Sequence, residues 1–99
     1  MRLTEQQIHA IKHTAQAVLG EGAHVTLFGS RVDDSAKGGD IDLLFTSPVN
    51  IDNQAQTAAQ IYAQLVRQLG DQKIDILLKA PNLQAQPIHA QAEQSGIQL

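Results

Sequence analysis

The chain has no cysteine and no tryptophan, and its 99 residues include one tyrosine and two phenylalanines. Without thiols, a disulfide scaffold, a thiolate zinc site and a cysteine nucleophile are all excluded. So few aromatic rings provide no platform on which single-stranded bases could stack. Positive charge is also scarce, with Lys+Arg 7 against Asp+Glu 10 and a formal net charge of −3. The basic residues are scattered from Arg2 to Lys79, which argues against autonomous nucleic-acid binding. No apolar run approaches the ~20 residues of a membrane span, and the opening MRLTEQQIHA lacks the apolar centre of a signal peptide. The expectation is a cytoplasmic protein with no membrane attachment.

What is present is a core. Apolar residues make up 42% of the sequence, which fits one domain over residues 1–99. Thr4 and Gln7 form a capping-box signature, and Ile8, Ile11, Ala15, Val18 and Leu19 recur at helical spacing up to Gly20. Ala23 to Phe28 is a β-prone run that enters the loop-forming stretch RVDDSAKGG. Asp40 to Thr46, DIDLLFT, reads as a second strand ended by Ser47-Pro48. A second helix is expected from about Ile51, capped by Asn50, with Ala55, Ala58, Tyr62, Leu65 and Leu69 on its apolar stripe and Gly70 at its end. Its polar side is rich in glutamine, which solvates the helix. Lys73 to Leu78 is a third strand, and Pro81 to Pro87 connects it to a short helix from about Pro87 to Gln94. Ile97 and Leu99 are placed to dock back. The fold class is α/β (α+β): a small mixed sheet packed against helices.

Aspartate is depleted in strands because its short charged side chain packs poorly on a half-buried pleat, yet Asp40, Asp42 and Asp75 all fall in strand-like segments. Side chains alternate along a strand, so Asp40 and Asp42 share a face about 7 Å apart while Ile41 and Leu43 face the other layer. Asp75, between Ile74 and Ile76, joins them if the second and third strands are neighbours in register. Like charges ~4 Å apart repel by about 4 kcal/mol at an effective dielectric near 20, against a net stability of ~5–15 kcal/mol for such a domain. A divalent cation removes that cost. All-oxygen ligation points to Mg²⁺ or Mn²⁺, and magnesium is usually completed by substrate phosphates. The bland alternative puts Asp40 in the turn after Gly38-Gly39 and pairs Asp75 with Lys73 or Lys79.

Gly29-Ser30 closes the first strand, where backbone N–H groups and the Ser30 hydroxyl can hold a phosphate. Arg31 and Lys37 can add charge from the loop, Arg31 being the nearer candidate. Asp33 and Asp34 read as solvated turn residues. His9 and His13 stand one helical turn apart with no third ligand near them in sequence, and His24 and His89 are isolated, so all four are expected in surface or structural roles.

The order Phe28-Gly29-Ser30, nine residues, Asp40-Ile41-Asp42-Leu43 and then Ile74-Asp75-Ile76 resembles the nucleotidyltransferase superfamily of DNA polymerase beta. More narrowly, LFGSRVDDSAKGGDIDLLF resembles the minimal nucleotidyltransferases, a family similar to the antitoxin component of two-protein modules whose partner is a helical HEPN protein. The likeness extends over nearly the whole chain, including the closing PIHAQAEQSGIQL. Gly39 departs from it, standing where these proteins commonly carry serine. The resemblance implies a nucleotidyltransferase fold, with Asp40, Asp42 and Asp75 as metal ligands and catalytic carboxylates, Asp75 helping to activate the acceptor hydroxyl. It also implies that Gly29 and Ser30, with Arg31 beside them, hold the phosphates of ATP. It implies transfer of AMP to a hydroxyl, a tyrosine of the HEPN-type toxin, so that the chain acts as an antitoxin in a homo- or hetero-oligomer. In-line transfer of this kind uses two metal ions held by bridging carboxylates. Two other readings stay open: an antitoxin that masks its partner without chemistry, and a nucleotidyltransferase acting on a small molecule such as an aminoglycoside.

Overall fold

The computed structural model describes residues 3–29, 40–70 and 72–99. Helix α1 (Glu5–Leu19) starts at the capping box its sequence announces: the Thr4 hydroxyl accepts the Gln7 N–H at 3.1 Å, and the Gln7 side chain accepts the Thr4 N–H at 2.9 Å. Strand β1 (His24–Phe28) follows a turn, and β2 (Ile41–Thr46) runs antiparallel to it, with Phe28 opposite Asp42 and Val25 opposite Phe45. Helix α2 (Gln54–Leu69) carries the chain back so that β3 (Ile74–Lys79) lies parallel to β2. Helix α3 (Pro87–Ser95) then leads to the two-residue strand β4 (Ile97–Gln98), which pairs antiparallel with β1. The sheet order is β3-β2-β1-β4, a mixed sheet in an α+β chain.

The pleat divides the sheet into two different faces. Leu27, Leu43 and Ile76 are in register, as are Val25, Phe45 and Leu78, and these side chains build the core with Ile11, Ala15, Ile61 and Leu65 of α1 and α2. Leu27, Leu43, Phe45, Ile61 and Leu65 are all fully buried. The two helices are also tied by a polar contact: the buried Thr14 hydroxyl donates to the Ala10 carbonyl at 2.9 Å and accepts from the Gln68 side chain at 3.3 Å. The opposite face carries Thr26 and Leu44, buried where α3 packs against β1. Gly96 makes that packing possible, because a Cβ there would press on the Thr26 methyl and on the Leu27 carbonyl. Beyond this covered part, toward the start of β2, the same face carries Phe28, Asp42 and Asp75.

Two boundaries differ from expectation for identifiable reasons. Helix α2 is capped by Asn53, whose side chain accepts the Gln56 N–H at 3.0 Å, not by Asn50. Asn82, thirty-one positions away, accepts the Ile51 N–H at 2.8 Å and donates to the Ile51 carbonyl at 2.7 Å, holding Ile51 out of the helix with its side chain buried. Asp40 stands one residue ahead of β2 rather than within it. Strict alternation therefore places Asp42 but does not govern Asp40. No described helix is long and apolar enough to cross a membrane.

Candidate functional site

β2 and β3 run parallel with Asp42 opposite Asp75, so two carboxylates come to adjacent positions on one face. The pairing is fixed from both ends by main-chain bonds, Ile41 N–H to the Lys73 carbonyl at 3.0 Å and Ser47 N–H to the Lys79 carbonyl at 2.7 Å. A slip of one residue would turn Ile74 and Ile76 out of the core, so the burial of those side chains also holds the carboxylates together. Asp42 is half-buried, whereas Asp75 is exposed.

The consequence is electrostatic. The Asp42 carboxyl is pushed up from 3.8 to about 6, first by partial burial, then by a hydrogen bond to Asp75 and by the charges of Asp75 and Asp40. Lys73 acts the other way. A proton held on Asp42 relieves the repulsion at lower pH.

Gly29 has a special relation to this pair. Its φ of +78° lies in the left-handed region that glycine adopts freely, and a Cβ on it would overlap the Asp42 carboxylate. The end of β1 is thus pressed directly against the acidic side chain. Any other residue here would have to adopt a left-handed φ and displace the Asp42 carboxylate.

Asp40 is placed otherwise than expected. Its carboxylate faces the Lys73 ammonium at 3.4 Å, with the side chains 38% and 75% exposed. An ion pair this open contributes only ~0–1 kcal/mol. Lys79 is taken by Glu93 of α3, so neither lysine pairs with Asp75. Among the described residues no group of three His, Asp or Glu side chains is arranged to hold a metal ion. Of the three expected ligands, the structure brings Asp42 and Asp75 into contact and leaves Asp40 beside them, engaged by Lys73. Ser30 and Arg31, with Asp33, Asp34, Lys37 and Gly39, lie outside the described residues.

By their chemistry, though not grouped around one point, these donors suit a hard cation. Two adjacent carboxylates, one of them raised by burial and by its acidic neighbours, and a third nearby offer oxygen ligands and an excess of negative charge that a divalent ion would neutralise. The histidines stay out of it: His9, His13 and His24 are exposed, and the buried His89 uses Nδ1 to accept the Gln86 N–H at 3.3 Å, closing the start of α3. Two features had no signal in the sequence. One is the ion pair of Lys73 with Asp40. The other is a groove of about 670 Å³ beside β3, lined by Ala55, Ala58, Ile76, Leu77, Gln86 and His89 and sharing no residue with the acidic pair.

Compared with protein-family models, with curated proteins and with solved structures, the chain matches none of them.

Proposed function

We propose that this chain is a metal-dependent nucleotidyltransferase of the minimal type, transferring AMP from ATP to a hydroxyl with release of pyrophosphate. The acceptor in this reading is a tyrosine of a helical HEPN-type toxin, and the chain is a cytoplasmic antitoxin that works in complex with that partner. The observation that carries it is the contact of Asp42 with Asp75 across parallel strands, with Gly29 pressed against Asp42. The arrangement concentrates negative charge beside the end of β1, where the sequence continues into Ser30 and Arg31.

Each residue has a distinct task. Asp42 and Asp75 would hold Mg²⁺ or Mn²⁺, with Asp40 completing the set. When bound, the metal supplies charge neutralisation at the triphosphate and acidifies the attacking hydroxyl. Asp75, exposed and unpaired with any lysine of the described residues, is the carboxylate open to the acceptor side. It orients the acceptor hydroxyl and accepts its proton. Gly29 brings the end of β1 up to Asp42, and Ser30 and Arg31, next in the chain, contribute a hydroxyl and a guanidinium for the phosphates of ATP.

The reaction is tested with α-labelled ATP and magnesium, added with the purified chain to a lysate of its source organism. Wild type is expected to label one protein, and Asp42→Asn none. If the wild-type chain retains a partner from that lysate yet transfers no label, the catalytic reading fails and a masking antitoxin takes its place.

A further inference from the structure

Resting on the nucleotidyltransferase reading, we propose that Lys73 is a resident counter-ion of the carboxylate cluster. It holds Asp40 away from an incoming divalent ion, so that the cation binds tightly only together with its triphosphate. Lys73 is a positioning residue here, acting through Asp40.

Lys73 is put in place by the backbone. Its carbonyl accepts the Ile41 N–H at 3.0 Å, which ties the residue before β3 to the residue that follows Asp40. From that anchor its ammonium reaches Asp40 Oδ2 at 3.4 Å, while the opposite register position brings Asp75 to Asp42. The described part of the site therefore contains three carboxylates and one ammonium on two strand entrances, and its single positive charge lies on the ligand that stands outside the Asp42–Asp75 contact. A divalent cation recruiting all three carboxylates must first separate Asp40 from Lys73. A cation arriving with a triphosphate brings negative oxygens, which offer the released ammonium a new partner. Lysine suits that exchange, because it is a point charge on a flexible stem rather than a planar fork locked to one carboxylate.

The inference is specific because it assigns the effect to one pair. Mn²⁺ is used as the probe, its binding measured by electron paramagnetic resonance with and without a non-hydrolysable ATP analogue. In Lys73→Gln, Mn²⁺ alone is expected to bind roughly two- to fivefold more tightly than in wild type, the scale of a partly exposed charge pair. The enhancement given by the nucleotide should shrink correspondingly. Lys73→Arg should behave as wild type. In an Asp40→Asn background the same Lys73→Gln change should have little effect, since the pair it breaks is already gone.

An equal gain in Mn²⁺ affinity with and without Asp40 would overturn the inference, because the lysine would then act only as distant charge. Unchanged or weaker Mn²⁺ binding in Lys73→Gln would overturn it as well. A chain that binds no Mn²⁺ in any variant, with or without nucleotide, would instead defeat the metal-site reading on which the inference rests. Urea unfolding in metal-free buffer provides an independent readout. Lys73→Gln should lower the midpoint, and Lys73→Arg should restore it.

Discussion

The two faces of β2 are built from neighbouring residues yet obey opposite rules. Ile41, Leu43 and Phe45 point into the helical layer and are essentially inaccessible to water. Asp42, their immediate neighbour, is half-buried against another carboxylate and an invading glycine. The first face lowers free energy by burying apolar surface, at about 1.5–3 kcal/mol for each large side chain. The second raises it by crowding like charges. The contrast teaches that the apolar face holds the register that keeps the acidic face together, so the stability of one supports the strain of the other.

That division can be broken most forcefully from the apolar side. Phe45→Ala should destabilise the chain by about 3–5 kcal/mol, a loss comparable to the whole stability of a small domain. Urea or thermal unfolding followed by circular dichroism would read it directly. A loss under about 1 kcal/mol would mean that the β1–β2–β3 core is not packed as described.

A smaller effect is expected at the contact between the faces' functions. Gly29→Ala must adopt a left-handed φ and displace the Asp42 carboxylate, at a cost of about 1–3 kcal/mol. Divalent-cation binding should fall with it. A variant with wild-type stability and cation affinity would show that Gly29 does not approach Asp42 so closely.

The smallest effect has the opposite sign and depends on pH. Because the Asp42 carboxyl is raised from 3.8 to about 6, the folded chain holds its proton over a range in which the unfolded chain has lost it. Its contribution to stability is therefore full below about pH 4, declines as pH rises toward 6, and is flat above. Asp42→Asn removes that dependence. Allowing for solvent screening of a partly exposed group, the variant should gain about 1 kcal/mol on wild type between pH 4 and pH 7 in metal-free buffer. Urea midpoints at the two pH values check it. A constant difference between the two proteins would refute the raised Asp42 carboxyl.

Much of this architecture is legible in the sequence. The capping box at Thr4 and Gln7, the period-two strands and the docking of Ile97 and Leu99 all appear in the structure, because each is decided by neighbours close in sequence or by a strong apolar pattern. The parallel register that brings Asp42 to Asp75 is not fixed by the apolar pattern alone. What remained hidden depends on distant partners. The amide of Asn82 sets where α2 starts, Lys73 takes Asp40, and the fit of Gly29 against Asp42 joins two strands through a loop. A local reading sees an asparagine, a lysine and a glycine in these places. Only the folded sheet supplies the groups they meet.

The central claim is that the carboxylates on the second face are arranged for a cation that arrives with phosphates. Isothermal titration of Mg²⁺ into the wild-type chain, with and without a non-hydrolysable ATP analogue, tests it most directly. The account predicts weak binding of magnesium alone and at least tenfold tighter binding with the nucleotide, since phosphate oxygens complete the coordination shell. Equal affinity in the two titrations would contradict it.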